Sequence, residues 1–272
     1  MFNSSRIRFF FFIGLCLITA GRTTSKAQEL KHNSLTAGIG LQFTGIRDLV
    51  YSPLLYTGTE ALLSLGYRRS GDSFYHGIDF FFSSGYYEAE TGSQLNAQSV
   101  GLEFGYSHII FSASENQLKL FLGGTGDISF LMRTYQLVPS IRSSTEEKPS
   151  PEIYSSANIK LSGIFHPDPK NSFSGQIWFP VISYYVRSEY TTHAADRIEV
   201  SRDATFGDVI RAGRAAGPED YFHIGAAFSY ERRLSDYFSL KTECSFFFGH
   251  VNEPLKKDML NNGLNLKIAY LF

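Results

Sequence analysis

From about residue 33 to the last residue, apolar and polar side chains alternate with a period of two over most of the chain. That is the period of a β-strand whose two faces meet different surroundings. In SVGLEFGYSH, Val100, Leu102, Phe104 and Tyr106 share one face, and Ser99, Gly101, Glu103, Gly105 and Ser107 share the other. YFHIGAAFSY repeats the scheme with Phe222, Ile224, Ala226, Phe228 and Tyr230. YFSLKTECSFFFGH sets Phe238, Leu240, Phe246 and Phe248 opposite Lys241 and Glu243. The pattern predicts ten strands, near 33–44, 56–69, 73–88, 97–112, 117–134, 152–167, 171–187, 220–233, 236–250 and 262–272.

The gaps between these segments alternate in length. RRSGDS, ASENQ, HPDPKNS and RRLSD are short and rich in turn formers. The gaps near 45–55, 89–96, 135–151, 188–219 and 251–261 are longer and more polar. Short and long connections in turn are the rhythm of an up-and-down barrel with tight turns on one rim and loops on the other. An even strand count then brings both ends of the barrel to the turn rim. The polar face is rich in charge and glycine, which makes a poor dry core, because an unpaired buried charge costs several kcal/mol. The apolar face is large and aromatic, as lipid favours. The expected fold is therefore all-β: an up-and-down antiparallel transmembrane β-barrel of about ten strands, apolar face outward. Tyr67, Tyr106, Tyr135, Tyr185, Tyr230 and Tyr270 fall near strand ends and suit the two interfacial girdles.

The start of the chain adds an export signal. Arg6 and Arg8 precede an apolar run from Phe9 to Ala20, too short for a spanning helix of about 20 residues. Ser25 and Ala27 supply the small residues of a cleavage site, placing the cut after Ala27, with Thr19 to Gly21 as an earlier candidate. Cys16 does not make this a lipoprotein signal, since Leu15 precedes it where a small residue is wanted. Residues 1–27 are thus expected to be a signal peptide and 28–272 the barrel, with the longest loop at 188–219. Removing Arg6, Arg8, Arg22 and Lys26 from the 25 basic residues leaves 21 against 26 acids, a net charge of −5. Such a balance argues against nucleic acid as a partner. Only Cys244 remains in 28–272, which excludes an internal disulfide.

The last nine residues, LNLKIAYLF, put Leu264, Leu266, Ile268, Tyr270 and Phe272 on one face and Asn265 and Lys267 on the other. A closing strand with a terminal aromatic resembles the assembly signal of Gram-negative outer-membrane β-barrel proteins. The resemblance rests on the export signal, the ten-segment rhythm and this strand. It implies a place in the cell outer membrane with both termini periplasmic. The partners it implies are outer-membrane lipid and, through Tyr270 and Phe272, the outer-membrane insertion machinery.

With the apolar face outward, Glu60, Asp79, Glu103 and Asp127 come inward from the first half of the barrel. Lys160, Lys241, Glu243 and Lys267 come inward from the second. Acids on one wall are expected to face lysines on the other and to plug a narrow lumen, helped by Gln42, Gln176 and Trp178. Gly58, Gly77, Gly101 and Gly225 make room for them. The leading expectation is a non-enzymatic scaffold whose loops bind an external ligand or protein partner that the sequence does not name. A porin-like channel for small solutes is the alternative. A second alternative is a hydrolase sited at the rim, since the longest loop offers His193, Asp196, Glu199, Asp203, Asp208, Glu219 and Asp220, with His223 just inside the next strand. The ten-stranded omptin proteases resemble the chain in architecture only, and no catalytic residue carries over. His76, His108 and His250 fall on the apolar face near strand ends, as interfacial histidines do. No spaced metal-ligand set and no phosphate-binding glycine loop is present, so no cofactor is expected.

Overall fold

Alternation this regular commits each strand to a membrane-facing and a lumen-facing side, and the strands close on themselves accordingly. The computed structural model describes residues 33–49, 52–71, 73–113, 117–136, 149–187, 213–252 and 256–272. The export signal expected at 1–27 and most of the loop expected at 188–219, including His193, Asp196, Glu199, Asp203 and Asp208, lie outside the described residues. The strands are β1 (Asn33–Asp48), β2 (Ser52–Ser70), β3 (Phe74–Glu88), β4 (Gln94–Ala113), β5 (Leu118–Gln136), β6 (Pro149–Asp168), β7 (Asn171–Arg187), β8 (Arg214–Ala216), β9 (Tyr221–Arg233), β10 (Phe238–Val251) and β11 (Lys257–Leu271). Each long strand pairs antiparallel with its neighbours; β1 pairs with β11, and β6 with β7, so ten strands form a closed ring. The three-residue β8 pairs with the far end of β7, in line with β9. Asn33 and Phe272 exchange backbone hydrogen bonds of 3.2 and 3.0 Å at the turn rim.

The outer face carries the apolar belt. Ile39, Leu65, Phe104, Phe228, Leu266 and Ile268 all stand exposed on it. Rings gather at its lower edge: Tyr270 lies 5.5 Å from Phe238 and 5.7 Å from Phe272, and Phe74 stacks 6.3 Å from Tyr106. Tyr185 does not join them. It is fully buried inside the barrel. A bulge in β7 pairs Asn158 with Pro180 but Ala157 with Ile182, so one extra residue swaps the faces beyond it. Proline, lacking an N–H, is accommodated at such a bulge. The side chain of Tyr135 lies outside the described set.

The strands run further toward the loop rim than the alternation predicts. The gap expected at 45–55 is largely strand, since β1 reaches Asp48 and β2 starts at Ser52. The gap at 89–96 is a tight turn, with Ala89 N–H donating to Ser93 O at 2.9 Å and Gly92 at a φ of 81°. β11 begins at Lys257. The reason is a reversal of sidedness. Near the loop rim Ile46, Tyr56, Tyr87, Leu95 and Ala97 point inward as one buried cluster. Tyr154, Tyr185, Tyr221 and Val251 form a second. The outer face there carries Arg47, Thr57, Asn96 and Gln98, with Leu55 and Tyr86 exposed among them. A strand of 15 residues, rising about 3.4 Å each and tilted about 40°, climbs roughly 39 Å, against an apolar belt about 25 Å tall. The excess height stands in water, and its apolar residues turn inward as in any soluble barrel.

Sidedness predicts the response to charge. Leu266→Arg, on the outer belt, should destabilise the barrel by about 2–4 kcal/mol. Ser245→Ala, on the inner face, should cost no more than about 0.5 kcal/mol. Refolding into lipid vesicles, followed by the mobility shift between unheated and boiled samples, measures both. Equal costs at the two positions would contradict the outward belt.

Candidate functional site

The eight interior charges expected from the alternation all sit on inward positions, in two groups. On the first wall, register aligns Asp79 of β3 with Glu103 of β4, and Glu103 with Asp127 of β5. Arg68 approaches Asp79 at 3.6 Å, and Lys160 approaches Glu103 at 3.7 Å. Asp127 accepts from Ser156 and from Asn158 Nδ2, the latter at 2.7 Å. Glu60 is held by hydroxyls: Thr44 Oγ1 donates at 3.1 Å, Ser83 Oγ at 2.5 Å, and Tyr87 donates as well. On the second wall Glu243 sits between two lysines, 3.0 Å from Lys241 and 2.8 Å from Lys267. Each of these contacts lies within one strand, as Lys241–Glu243 does, or joins strands that are neighbours, or neighbours but one, in the ring. The expectation that acids and lysines pair across the lumen at this height is therefore corrected. The cations here, Arg68, Lys160, Lys241 and Lys267, find carboxylates on their own or nearby strands, so the charges pair along the wall.

Pairing across the lumen occurs nearer the loop rim, among residues the alternation did not single out. Asp48 of β1, Arg133 of β5, Glu152 of β6, Arg187 of β7 and Lys257 of β11 form one cluster, each at most 1% exposed. Arg187 Nη2 donates to Asp48 Oδ1 at 2.6 Å. Arg133 Nη1 lies 3.2 Å from Glu152 Oε2 and 3.7 Å from Asp48 Oδ2. Lys257 Nζ donates to Glu152 Oε2 and to Tyr154 Oη, each at 2.6 Å, and Tyr154 Oη donates to Glu152 at 2.9 Å. Arg133 Nη2 also reaches Met259 Sδ of β11 at 3.4 Å. Arg133 and Glu152 stand on neighbouring strands, but the bonds of Arg187 and Arg133 to Asp48, of Lys257 to Glu152 and Tyr154, and of Arg133 to Met259 tie strands four or five places apart in the ring of ten. Asp48 and Lys257 escaped notice because they lie in stretches read as loops. Their positions keep the inward parity of Gln42 and Lys267, and that was the available signal. Arg187 is out of phase with Trp178 because of the bulge beside Pro180.

Between the two levels lies a cavity of about 360 Å³. It reaches from Arg68 and Tyr75 to Arg133 and Tyr154, and the acid row, Trp178 and His223 line it. Gln42 and Gln176 line it too, rather than filling it. Glycines give the rings their places. A Cβ on Gly225 would fall on the indole of Trp178, and one on Gly101 would fall on the ring of Phe81. Gly58 is pressed against the backbone of Tyr86 and Tyr87.

Among the described residues the rim holds one Asp–His pair. His250 Nδ1 lies 2.6 Å from Asp258 Oδ1, and its Nε2 lies 2.7 Å from Asn252 Oδ1. Both ring nitrogens are engaged, and the pair stands on the outer face. Glu219 and Asp220 meet Asn252 and Arg214 rather than His223: Asn252 Nδ2 donates to Glu219 O at 2.5 Å, and Arg214 lies 3.7 Å from Asp220. His223 points into the lumen instead. Among the described residues no group of three or more His, Cys, Asp or Glu could hold a metal ion.

Removing one member of a buried, bonded charge cluster leaves its partners uncompensated. Glu152→Ala should therefore lower stability by about 3–5 kcal/mol. Arg214→Ala, which breaks a partly exposed pair, should cost no more than about 1 kcal/mol. Urea unfolding of the two variants in vesicles checks the contrast, and similar midpoints would refute it.

No protein-family profile matches the chain, and no curated protein matches it by sequence. Solved structures do match in shape. The outer membrane protease OmpT from Escherichia coli superposes with a TM-score of 0.51 at 8% identity, over 92% of this chain and 100% of that one. The translocator domain of the autotransporter NalP from Neisseria meningitidis gives 0.48 at 8% identity, over 98% and 95% of the two chains. The attachment invasion locus protein Ail of Yersinia pestis gives 0.37 at 10%, over 89% and 100%. The fold is that of an outer-membrane β-barrel.

Proposed function

We propose that the chain is an integral outer-membrane scaffold that holds its lumen shut near the loop rim and presents that rim to a partner. The observation that carries this reading is the buried cluster of Asp48, Arg133, Glu152, Arg187 and Lys257, in which Arg187 and Arg133 reach Asp48 and Lys257 reaches Glu152 across the lumen. Ions and solutes must pass it, and moving it means separating charges inside a wall that excludes water. The inverted upper section supports the same reading, since a packed, water-facing rim is a surface on which a partner can dock. In this reading the loop rim faces outside and the turn rim, with Asn33 and Phe272, faces the periplasm. An export signal at residues 1–27 delivers the chain there. The aromatic end of β11 then serves as the mark read by the insertion machinery, supported by the ring cluster of Tyr237, Phe238, Tyr270 and Phe272. A small-solute channel is the second reading, favoured by the cavity of about 360 Å³ beneath the cluster.

Conductance separates the two. The wild-type protein in planar bilayers should be silent, while Glu152→Ala combined with Lys257→Ala should open resolvable steps. Steady current through the wild type would overturn the closed-lumen reading in favour of the channel. The assembly role has its own test: deleting Phe272, or Tyr270→Asp, should leave export intact and deplete the outer-membrane fraction of folded protein. Normal surface levels in both variants would remove that role from β11.

A further inference from the structure

We infer that the lumen cavity is a binding site for a small organic cation: an amine carried on an aromatic or compact hydrocarbon body. The inference rests on the cavity and not on closure of the loop rim, so it stands whether or not the lumen conducts. Its volume, about 360 Å³, falls within the roughly 300–1,000 Å³ of small-molecule sites.

The first support is a surplus of negative charge on one wall. Asp79, Glu103 and Asp127 are direct cross-strand neighbours, an arrangement that is destabilising for like charges. Two cations answer them, Arg68 at 3.6 Å and Lys160 at 3.7 Å, both too distant for a hydrogen bond. Among the described residues Asp127 has only neutral donors, Ser156 and Asn158. The opposite wall is unlike it, with Glu243 held by two lysines at 3.0 and 2.8 Å. The side chain of Glu103 is 38% exposed, the most open carboxylate of the row's ion pairs, and it lines the cavity. An ammonium group placed against this row would meet acceptors that the protein leaves under-neutralised.

The second support is independent of charge. His223 and Asn265 are 3% and 5% exposed, both line the cavity, and neither His223 Nδ1 nor Asn265 Oδ1 has a hydrogen-bond partner among the described residues. Buried polar atoms of this kind cost about 1–3 kcal/mol each unless something bonds them. A ligand N–H supplies what an Asn oxygen lacks. The third support is shape. Trp178 sits against Gly225 and Phe81 against Gly101, and both rings line the cavity. Flat aromatic faces attract cations and pack against apolar bodies. An anion meets the acid row unfavourably, and a neutral ligand leaves its surplus charge unanswered.

Trp178 is the only tryptophan in the chain and lines the cavity, so it reports on occupancy. The folded full-length protein in detergent is titrated with phenethylamine, with 2-phenylethanol and with 3-phenylpropanoate. Phenethylamine should change Trp178 fluorescence saturably, and the alcohol and the carboxylate should bind at least about tenfold more weakly, the factor that 1.4 kcal/mol represents. Asp127→Asn and Glu103→Gln should each weaken the amine about tenfold while leaving the alcohol unchanged. If Asp127→Asn loses the mobility shift of a folded barrel, the more exposed Glu103→Gln decides. Equal affinity for amine and alcohol overturns the inference. So does amine binding that neither variant weakens, or no saturable signal from either fluorescence or calorimetry.

Discussion

The solvent around this barrel changes with height, and most of the structure follows from that. Within the membrane every backbone N–H and C=O must be paired inside the protein, so the sheet has to close. Closure is made by β1 and β11, paired from Ser34 with Leu271 to Asp48 with Lys257. In this belt hydrocarbon lies outside, and apolar side chains such as Phe104 and Ile268 face it. Higher up the outside is water, and the same strands turn Ile46, Tyr56, Leu95 and Val251 inward. One continuous ladder therefore carries two opposite side-chain codes, and their junction sits near the level of the cavity.

Charge follows the same division. In the belt, charged residues have only the lumen to occupy, and they settle against the wall with partners on the same strand or one or two strands away. In the upper section the lumen is packed with tyrosines and aliphatic groups, and its charges must be bonded or neutralised. Asp48 and Glu152 meet that demand with three cations and a tyrosine hydroxyl. Firmness alone does not require ions, since buried ion pairs gain little net stability over well-packed hydrocarbon. What the ionic cluster adds is direction. Each of its bonds names a particular strand, and together they fix which strands stand opposite at the rim.

The ten long strands were legible because lipid on one side and polar lumen on the other give a period-two signal that survives over whole strands. The inward side of Glu60, Asp79, Glu103, Asp127, Lys160, Lys241, Glu243 and Lys267 followed from that parity alone. Legibility ended where the code inverted. Residues 45–48, 52–55 and 257–261 read as loop because apolar-out alternation stops there, although the strands continue. It ended again at Pro180, where one inserted residue moved Tyr185 and Arg187 from the expected outer face to the lumen. Partners were less legible than sides. Parity says that Glu243 points inward, but whether Lys267 beside it or Asp79 elsewhere answers it depends on reach across the lumen. The hydroxyl cage of Thr44, Ser83 and Tyr87 around Glu60 carries no sequence signal beyond three polar inward positions.

Where the long cations find their carboxylates explains why the lumen is crossed at one height and hollow at another. The bonds that cross it begin on Arg133, Arg187 and Lys257, the longest side chains available, and end on carboxylates that meet them part way. The acid row in the belt has only Asp79, Glu103 and Asp127 to extend, and its nearby cations, Arg68 and Lys160, stay on the same wall. Glycines at 101 and 225 let Phe81 and Trp178 fold back rather than project. Laterally held cations leave the axis empty, and Phe81, Phe247 and Trp178 line it beside the acids. The cavity thus follows from cations held to their own wall in the belt, as the crossing bonds follow from cations that meet carboxylates of the opposite wall above it.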